Sequence, residues 1–334
     1  MRRAGALLVV VALVVGAAAC GGGGDSSGGD NEITSLKVGY GFEIDTGSVG
    51  DRVAFDKLED ETGIKATFAV LGSPRNTIVA LQRGDIQIAK PGFYEAVAAI
   101  TAGAKMRIVL LTAMVSEFVL VAPTDSIADL RGKRVGVHGP GDESEIFAKI
   151  VLQRAGIPPS EQKIVFLPES TNRAPALLAG RLDAAVLEYV DYVRIRREEP
   201  SLRVLANARD VFPLPVSRAN VLTEKFIQEH RDQLQEIEDG LLDGYESLYT
   251  PEGRRKWIAE AKKAVLKDES DKVVAGVYDF YRKIGFWPRR QDVVTEQEWK
   301  RGVEFRIDEG LLKPPVPAFN RVFDISFWRQ AAND

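Results

Sequence analysis

The charged side chains that could contact a small ligand occur in short stretches, each at or just after the end of an apolar, strand-like run. The acids in these stretches are Glu43, Asp45, Glu117, Glu169 and Glu188, and the basic or titratable side chains beside them are Lys90 and His138. Glu117 and Glu188 each interrupt an otherwise apolar segment, which makes them the stronger candidates. Buried carboxylates attract cations and repel anions. With Lys90 as the single nearby cation, the pattern predicts a neutral or cationic ligand, although Lys90 could also hold a ligand carboxylate.

Aromatic residues are grouped in the same stretches. They are Tyr40, Phe42, Phe93, Tyr94, Tyr189 and Tyr192. Because aromatic faces stack on rings and attract cations, they favour a ring-containing ligand. Small and polar residues at predicted turns and helix starts complete the expected contacts, namely Asn76, Gly92, Thr171 and Asn172.

The stretch RVGVHGPGDESE, residues 134–145, predicts a strand, a glycine turn and a helix start. Gly139 and Gly141 allow a sharp turn, and Ser144 lies at the start of the helix. Asp142 is a plausible N-cap with Glu145 three residues later, so the helix satisfies its own free N–H groups. The carboxylates at Asp142 and Glu143 repel an anion. We therefore expect a wall of a solute cleft here and not a phosphate site.

The residue inventory argues against catalysis and against a resident metal or cofactor. The chain has two histidines and one cysteine, no HExxH or CxxC pattern occurs, and no G-x-S-x-G pattern follows a predicted strand as a nucleophile elbow would. Metal sites and catalytic triads need such groups. Acid–base chemistry by two carboxylates alone stays open. No basic stripe is present, so nucleic-acid binding is not expected.

The N-terminus has the pattern of a secretory signal. Arg2 and Arg3 precede the apolar run AGALLVVVALVVGAAA, residues 4–19, which is shorter than the roughly 20 residues of a spanning helix. Residues 1–19 are predicted to be a signal peptide, and the Gly/Ser/Asp-rich residues 20–32 a flexible linker. The junction at Cys20 resembles a bacterial lipobox, which implies lipidation of Cys20. An ordinary secretory signal with an incidental cysteine is the alternative.

Two parts of the chain repeat one plan. NTIVALQRGDIQIA, residues 76–89, matches NRAPALLAGRLDAA, residues 172–185, in the positions of Asn, Ala-Leu and Gly. Each half predicts β-loop-α-β-loop-α-β-loop-α-β, which is typical of a mainly parallel sheet covered by helices. The glycine in each phrase suits a left-handed position at the end of the predicted helix.

The two α/β halves predict a cleft. Their ligand loops, residues 41–48, 72–76, 90–93, 138–144, 168–172 and 188–191, lie at the carboxyl ends of strands, where open α/β sheets bind ligands. Extended segments at 116–123 and 215–223 are expected to cross between the halves as a two-stranded hinge. The predicted lobes are residues 33–118 with 219–334, and residues 119–218.

Four phrases resemble a known family: DLRGKRVGVHGPG (129–141), LQRAGIPPSEQKIVFLPES (152–170), ALLAGRLDAAVLEYVDY (176–192) and FDISFW (323–328). The family is that of ABC-importer solute-binding proteins for nitrate, sulfonates, taurine and thiamine-pyrimidine precursors. The resemblance implies a type II periplasmic-binding-protein fold. It also implies an extracytoplasmic protein that passes a small solute to an ABC permease and its ATPase. Together with the lipid expected on Cys20, this predicts a membrane-anchored protein, and we expect it to be a monomer.

Several functions stay open at this stage. A pyrimidine-like vitamin precursor fits the predicted charge, whereas sulfonate, taurine or nitrate are the anionic alternatives. The same fold also resembles a thiamine-pyrimidine-forming enzyme, and a closing binding protein can report to a membrane sensor instead of a permease. The residue inventory favours a binder over an enzyme.

Overall fold

The computed structural model describes residues 32–214, 217–310, 312 and 314–333. The chain divides into Met1–Glu32 and Ile33–Asp334, and the account below concerns the second unit. The predicted signal peptide, most of the predicted linker and Cys20 lie outside the described residues.

Within the described residues, ten strands form two five-stranded sheets. The first sheet contains β1 (Ser35–Tyr40), β2 (Lys65–Val70), β3 (Ile88–Lys90), β4 (Met106–Ala113) and β10 (Arg218–Thr223). The second contains β5 (Phe118–Ala122), β6 (Arg134–Val137), β7 (Lys163–Phe166), β8 (Ala184–Glu188) and β9 (Arg203–Asn207).

Helices connect and cover the sheets. In the repeated part they are α1 (Val49–Thr62), α2 (Pro74–Arg83), α3 (Phe93–Thr101), α4 (Glu143–Arg154), α5 (Ser170–Leu178) and α6 (Tyr189–Ile195). The remaining helices are α7 (Glu224–Glu229), α8 (Arg231–Ser247), α9 (Pro251–Ala264), α10 (Asp271–Ile284), α11 (Glu296–Asp308), α12 (Phe319–Val322) and α13 (Ser326–Ala331). Among the helices described, none has the length and apolarity needed to cross a membrane.

The two sheets have the same topology. Their strand orders are β2-β1-β3-β10-β4 and β7-β6-β8-β5-β9, so each strand of one has a counterpart at the same place in the other. In each sheet the fourth strand is antiparallel to its neighbours. This strand reaches its sheet after the chain has crossed from the other one. The predicted repeat of strands and helices is confirmed.

The crossings are shorter than the sequence predicts. The expected first crossing, residues 116–123, includes β5, which lies fully inside the second sheet, so only residues 114–117 connect the sheets. The second expected crossing, residues 215–223, includes β10 of the first sheet. Both predictions took an extended apolar run for a connector, because a buried strand has the same pattern.

Local signals fix the helix ends as predicted. Gly84 ends α2 with φ 79°, and Gly180 follows α5 with φ 66°. A residue with a Cβ is strained at such positive φ, which is why glycine stands at both places. The resulting turns return the chain to β3 and β8, whose carboxyl ends carry ligand loops.

The C-terminal helices pack in the half of the molecule that contains the first sheet, and they enlarge its core. Trp257, Trp287 and Trp328 are fully buried there, and the rings of Trp257 and Trp287 lie 6.2 Å apart. Helices α1 and α8 approach closely because Gly244 faces Ala54: a Cβ built on Gly244 lies 2.4 Å from the Ala54 Cα. The rigid body behind the cleft depends on this close packing.

We expect Gly244→Ala to destabilise the protein by about 1–3 kcal/mol, because the added methyl group overpacks the α1–α8 contact. Thermal and urea unfolding measure the change. Gly276→Ala is the matched control: Gly276 also lies inside a helix, but nothing is within 4 Å of its built Cβ. That control should be neutral or stabilise by up to about 1 kcal/mol. Equal effects of the two substitutions would contradict the packing argument.

Candidate ligand cleft

A cavity of about 280 Å³ lies between the two sheets. Residues from both halves line it, at the carboxyl ends of β1, β3, β6, β7 and β8. Half of the predicted ligand contacts are in this lining: Phe42, Glu43, Asp45, Gly92, Glu117, His138, Gly139, Glu169 and Glu188. Beyond that set, it contains Gly41, Pro74, Pro91, Tyr94, Glu95, Ser116, Phe118, Pro140, Asp142, Glu143, Ser170, Arg173, Ser217 and Arg218.

Arg218, the first residue of β10, forms the central ion pairs of the cleft. Its guanidinium donates to the two carboxylate oxygens of Asp45 at 2.7 and 2.6 Å and to Glu117 at 3.2 Å. Burial raises the pKa of Asp45, but Arg218 outweighs it and holds that pKa below its ordinary value. Arg218 also lies 5.0 Å from the centre of the Phe42 ring. One guanidinium, at the end of the second crossing, thus contacts Asp45 in the loop after β1 and Glu117 in the first crossing.

Three carboxylates are crowded around this arginine. Oxygen atoms of Asp45, Glu117 and Glu188 all lie within 4.8 Å of one another. Burial raises the pKa of Glu117 to about 7, against the opposing effect of Arg218. Burial and the neighbouring charges of Asp45 and Glu117 raise the pKa of Glu188 well above its ordinary value. Within the part of the chain described, no hydrogen bond or ion pair reaches the Glu188 carboxylate.

This set of oxygens could in principle ligate a hard divalent cation such as Ca²⁺ or Mg²⁺. Two of the three carboxylates, however, already pair with Arg218, and Glu117 also accepts a hydrogen bond from Tyr281. A metal ion would have to displace the guanidinium. The geometry favours an arginine-neutralised acid cluster over a metal centre.

At the start of α4, carboxylates of the turn accept hydrogen bonds from the backbone N–H groups. Asp142 is the N-cap: one of its oxygens accepts from the Glu145 N–H at 2.9 Å, and the other from the Gly139 N–H at 3.1 Å. Glu145 in turn accepts from the Gly141 N–H. The free donors of the turn are therefore used by side chains of the same stretch, and an anion would find few N–H groups here.

Glu143 has a different role from its neighbours in that turn. It is only 8% exposed and lines the cleft, and its Oε1 atom is buried without a hydrogen-bond partner in the described residues. Burial raises the pKa of Glu143 to about 8, although the Ser116 hydroxyl lowers it. Burial likewise raises the pKa of nearby Glu95 to about 7.

The prediction that Lys90 is the single cation near the cleft is wrong. Lys90 is fully buried in the first half, where its Nζ atom donates to Asn220 at 2.8 Å and to Thr112 at 3.0 Å and pairs with Asp51 at 3.2 Å. Tyr40 also points into this core and donates to Asp51. Both residues lie on the strand face that meets α1, which the loop positions alone did not reveal.

The other predicted contacts outside the lining have local structural roles. Asn76 and Asn172 donate to the carbonyl groups of Leu71 and Pro168, which lie two or three residues before their respective helices. The Ser144 hydroxyl accepts from the His138 N–H at 2.8 Å. The remainder are Phe93 in the core, exposed Thr171, Gly141 in its turn, and Tyr189, whose ring stacks on Phe280 at 3.6 Å.

Two cleft arginines escaped prediction. Arg218 interrupts the apolar segment PVSRANVLT, the same signal that identified Glu117 and Glu188, so the sequence held a clue. Arg173 is 1% exposed and donates to the carbonyls of Val186 and Leu167 at 2.6 and 2.9 Å. Its burial could not be read from its place in an amphipathic helix.

A second, larger cavity of about 570 Å³ borders the cleft and shares Tyr94 and Glu95 with it. Its walls are mostly apolar side chains of α3, α4 and α11, including Trp299 and Phe305. Few predicted ligand residues reach it. The polar groups that could orient a small solute are concentrated in the first cavity.

Comparisons with known proteins agree with this architecture. A family profile described as "ABC transporter, phosphonate, periplasmic substrate-binding protein" matches residues 53–266. No curated protein sequence matches the chain. Similar solved structures include the alkanesulfonate-binding protein SsuA from Xanthomonas axonopodis pv. citri bound to MOPS, at 19% identity and TM-score 0.67, covering 87% of this chain and 99% of that one.

Two further structures have the same fold. The periplasmic nitrate-binding protein NrtA from Synechocystis PCC 6803 is 12% identical with TM-score 0.68, covering 90% of this chain and 89% of that one. The ligand-binding component of an ABC-type import system from Staphylococcus aureus, solved with zinc bound, is 14% identical with TM-score 0.70, covering 90% and 100%.

The fold is that of the type II periplasmic binding proteins, two α/β halves with a cleft between them. The profile match covers more than half of the chain, which therefore belongs to the family of periplasmic substrate-binding proteins of ABC transporters. This confirms the resemblance seen in the sequence. The family consists of binding proteins, so the chain is a solute binder and not an enzyme.

We expect Arg218→Ala to destabilise the protein by about 3–5 kcal/mol at pH 8, because it leaves buried carboxylates unpaired. At pH 5 the loss should be much smaller, since Glu117 and the now uncompensated Asp45 take up protons. Thermal unfolding across this pH range measures the difference. Arg254→Ala removes an exposed pair with Asp279 and should cost less than about 1 kcal/mol at either pH. A pH-independent loss in Arg218→Ala would rule out the charge argument.

Proposed function

We propose that this protein is a lipid-anchored, extracytoplasmic receptor that captures a small neutral or cationic organic solute and delivers it to an ABC permease. In this proposal the lobes are residues 33–118 with 219–334, and residues 119–218, and they close on the solute as a monomer. Cys20 carries the lipid. A ring-containing nitrogen compound of the pyrimidine-precursor type is the preferred ligand.

The excess of acids in the cleft supports the ligand charge. Eight carboxyl groups line the cavity: Glu43, Asp45, Glu95, Glu117, Asp142, Glu143, Glu169 and Glu188. In the lining formed by the described residues two arginines accompany them, and Arg218 is already neutralised by Asp45 and Glu117. An anion would meet like charges in a low dielectric, whereas a cation would relieve their mutual repulsion.

Closure is supported by the way both halves contribute to one cavity. A solute that contacts both lobes binds the closed arrangement better and shifts the population toward it. The permease recognises that closed form in this proposal. A membrane sensor as the reader of closure is distinguished by its gene neighbourhood, which would then lack a permease and an ATPase.

An anionic ligand is the second candidate, because Arg173 and Arg218 line the cavity and the family description names phosphonate. Arg173, however, already donates two hydrogen bonds to backbone carbonyls. Asp142 and Glu145 accept hydrogen bonds from backbone N–H groups at the start of α4. The positive groups available to an anion are thus few.

We expect Cys20→Ala to abolish lipid attachment without changing the fold. Cells grown with an alkyne-tagged fatty acid should label the wild-type chain and a Ser26→Ala control, and leave Cys20→Ala unlabelled. Circular dichroism of the purified variant should match the wild type. Equal labelling of Cys20→Ala would refute the anchor, and solute binding would be unaffected by that result.

We expect the affinity for a cationic solute to rise as the pH increases from 6 to 9. The pKa values of Glu95, Glu117 and Glu143, raised to about 7, 7 and 8, mean that these groups lose protons over this range. A cation favours their ionised form, so binding releases protons and gains up to about tenfold per pH unit for each one. An anion shows the opposite slope.

A thermal-shift screen and calorimetry at several pH values test this, with 1,4-diaminobutane, agmatine, 4-aminopyrimidine, taurine, methylphosphonate and nitrate as probes. A ligand at 100 times its Kd should stabilise the protein by about 2.7 kcal/mol. If the largest shift came from methylphosphonate or taurine and weakened with rising pH, the proposed charge would be wrong and the binding function would stand.

A further inference from the structure

We propose that the cleft selects an organic cation by its N–H donors and rejects quaternary ammonium, with Glu143 as the selecting residue. This inference rests on the proposed function and narrows its ligand to ammonium, amidinium, guanidinium or aminopyrimidinium compounds. It depends on the carboxylates and aromatic rings of the cleft, and on which of them other side chains already engage.

One carboxylate oxygen of Glu143 has no hydrogen-bond donor among the described residues, whereas the Ser116 hydroxyl acts on the carboxylate and lowers its pKa. Its carboxylate is buried to more than nine-tenths, lines the cleft, and leaves Oε1 without a hydrogen bond in the described part of the chain. Asp142 and Glu145 flank it, and both are committed to backbone N–H groups of the turn. Glu143 is therefore the acid of this turn that is available to a ligand.

Glu188 is a second available acceptor. It belongs to the acid cluster, but Arg218 pairs with the other two members, Asp45 and Glu117. Glu143 begins α4 and Glu188 ends β8, so both stand on the second half. A ligand with N–H groups can satisfy these acceptors without disturbing the Arg218 ion pairs.

The aromatic rings of the cleft are poorly suited to a quaternary ammonium group. Such groups lack donors and are bound by cages of free aromatic faces. Three aromatic rings line the cavity, and two of them already face a guanidinium: Arg218 lies 5.0 Å from the Phe42 ring and Arg306 lies 4.1 Å from the Tyr94 ring. Phe118 alone cannot form a cage.

These contacts favour a cation with N–H groups over a cation whose nitrogen is fully methylated. A buried carboxylate oxygen that gains an N–H donor is satisfied, whereas one that meets an N-methyl group loses water and gains no hydrogen bond. We therefore expect at least about a tenfold preference for the N–H cation over its methylated counterpart. The cavity of about 280 Å³ restricts the ligand to a small metabolite.

Matched pairs of probes test the preference. Ethanolamine and choline share one skeleton and one charge and differ in N–H against N-methyl. Agmatine and 1,4-diaminobutane extend the series of N–H cations, and tetramethylammonium extends the methylated series. Calorimetry at pH 8 with the full mature chain should detect binding in the N–H series and at least tenfold weaker binding, or none, for choline and tetramethylammonium.

Substitutions test whether Glu143 causes the preference for N–H cations. Glu143→Gln should weaken the best N–H cation at least tenfold, and Glu143→Asp should recover part of the loss because it restores the charge. Glu198→Gln removes one exposed acid from the same half, outside the cleft, and should change nothing. Without ligand, Glu143→Gln should melt at least as high as the wild type at pH 8, because it removes a buried charge, which separates a binding loss from unfolding.

The outcomes separate this inference from the proposed function. Choline binding as tightly as ethanolamine, an unaltered affinity in Glu143→Gln, or no binding by any N–H cation overturns the inference. If an anion of the earlier panel binds instead, the chain remains a solute receptor with another ligand class. Only a failure of every small solute, anions included, would count against the receptor function.

Discussion

The ion pairs of Arg218 are the constraint on which the rest of the cleft depends. The arginine opens β10, Asp45 follows β1, and Glu117 lies in the crossing between the sheets, so one guanidinium holds three separate chain segments together. Buried carboxylates without this cation would repel each other and expose the crossing to water. Tyr281 of α10 extends the network by donating to Glu117. The C-terminal helices are thereby connected to the base of the cleft, and the shape of the cavity depends on charge as much as on packing.

The same arrangement leaves some acidic groups of the cleft without a cation beside them. One arginine neutralises two acids of the cluster, and Glu188 and Glu143 have no comparable partner among the described residues. The pKa values of Glu188 and Glu143 are raised because burial and neighbouring like charges make the ionised form unfavourable. Protonation relieves the repulsion among these acids, and a bound cation would relieve it as well. Protonation and binding would therefore be coupled for a cationic ligand.

Local patterns predicted the fold well, and long-range contacts limited the prediction of the site. The repeated spacing of Asn, Ala-Leu and Gly located α2 and α5, and the cap at Asp142 followed from its own turn. Lys90 was misplaced because a loop position does not tell which face of a short strand meets a helix. Arg218 was missed because its partner Asp45 lies 173 residues away, and only the folded topology brings β10 beside the loop after β1. Charges inside apolar runs, as at Glu117, carried the usable signal.

The turn before α4 carries side chains that a helix start suited to an anion would lack. In a helix start with open N–H groups, the backbone itself attracts an anion. Here Asp142 and Glu145 take up N–H groups of the turn, and Glu143 adds a buried carboxylate directly beside them. Similarity of fold to nitrate- and sulfonate-binding proteins therefore does not determine the charge of the ligand, because ligand charge depends on side chains that the fold does not specify.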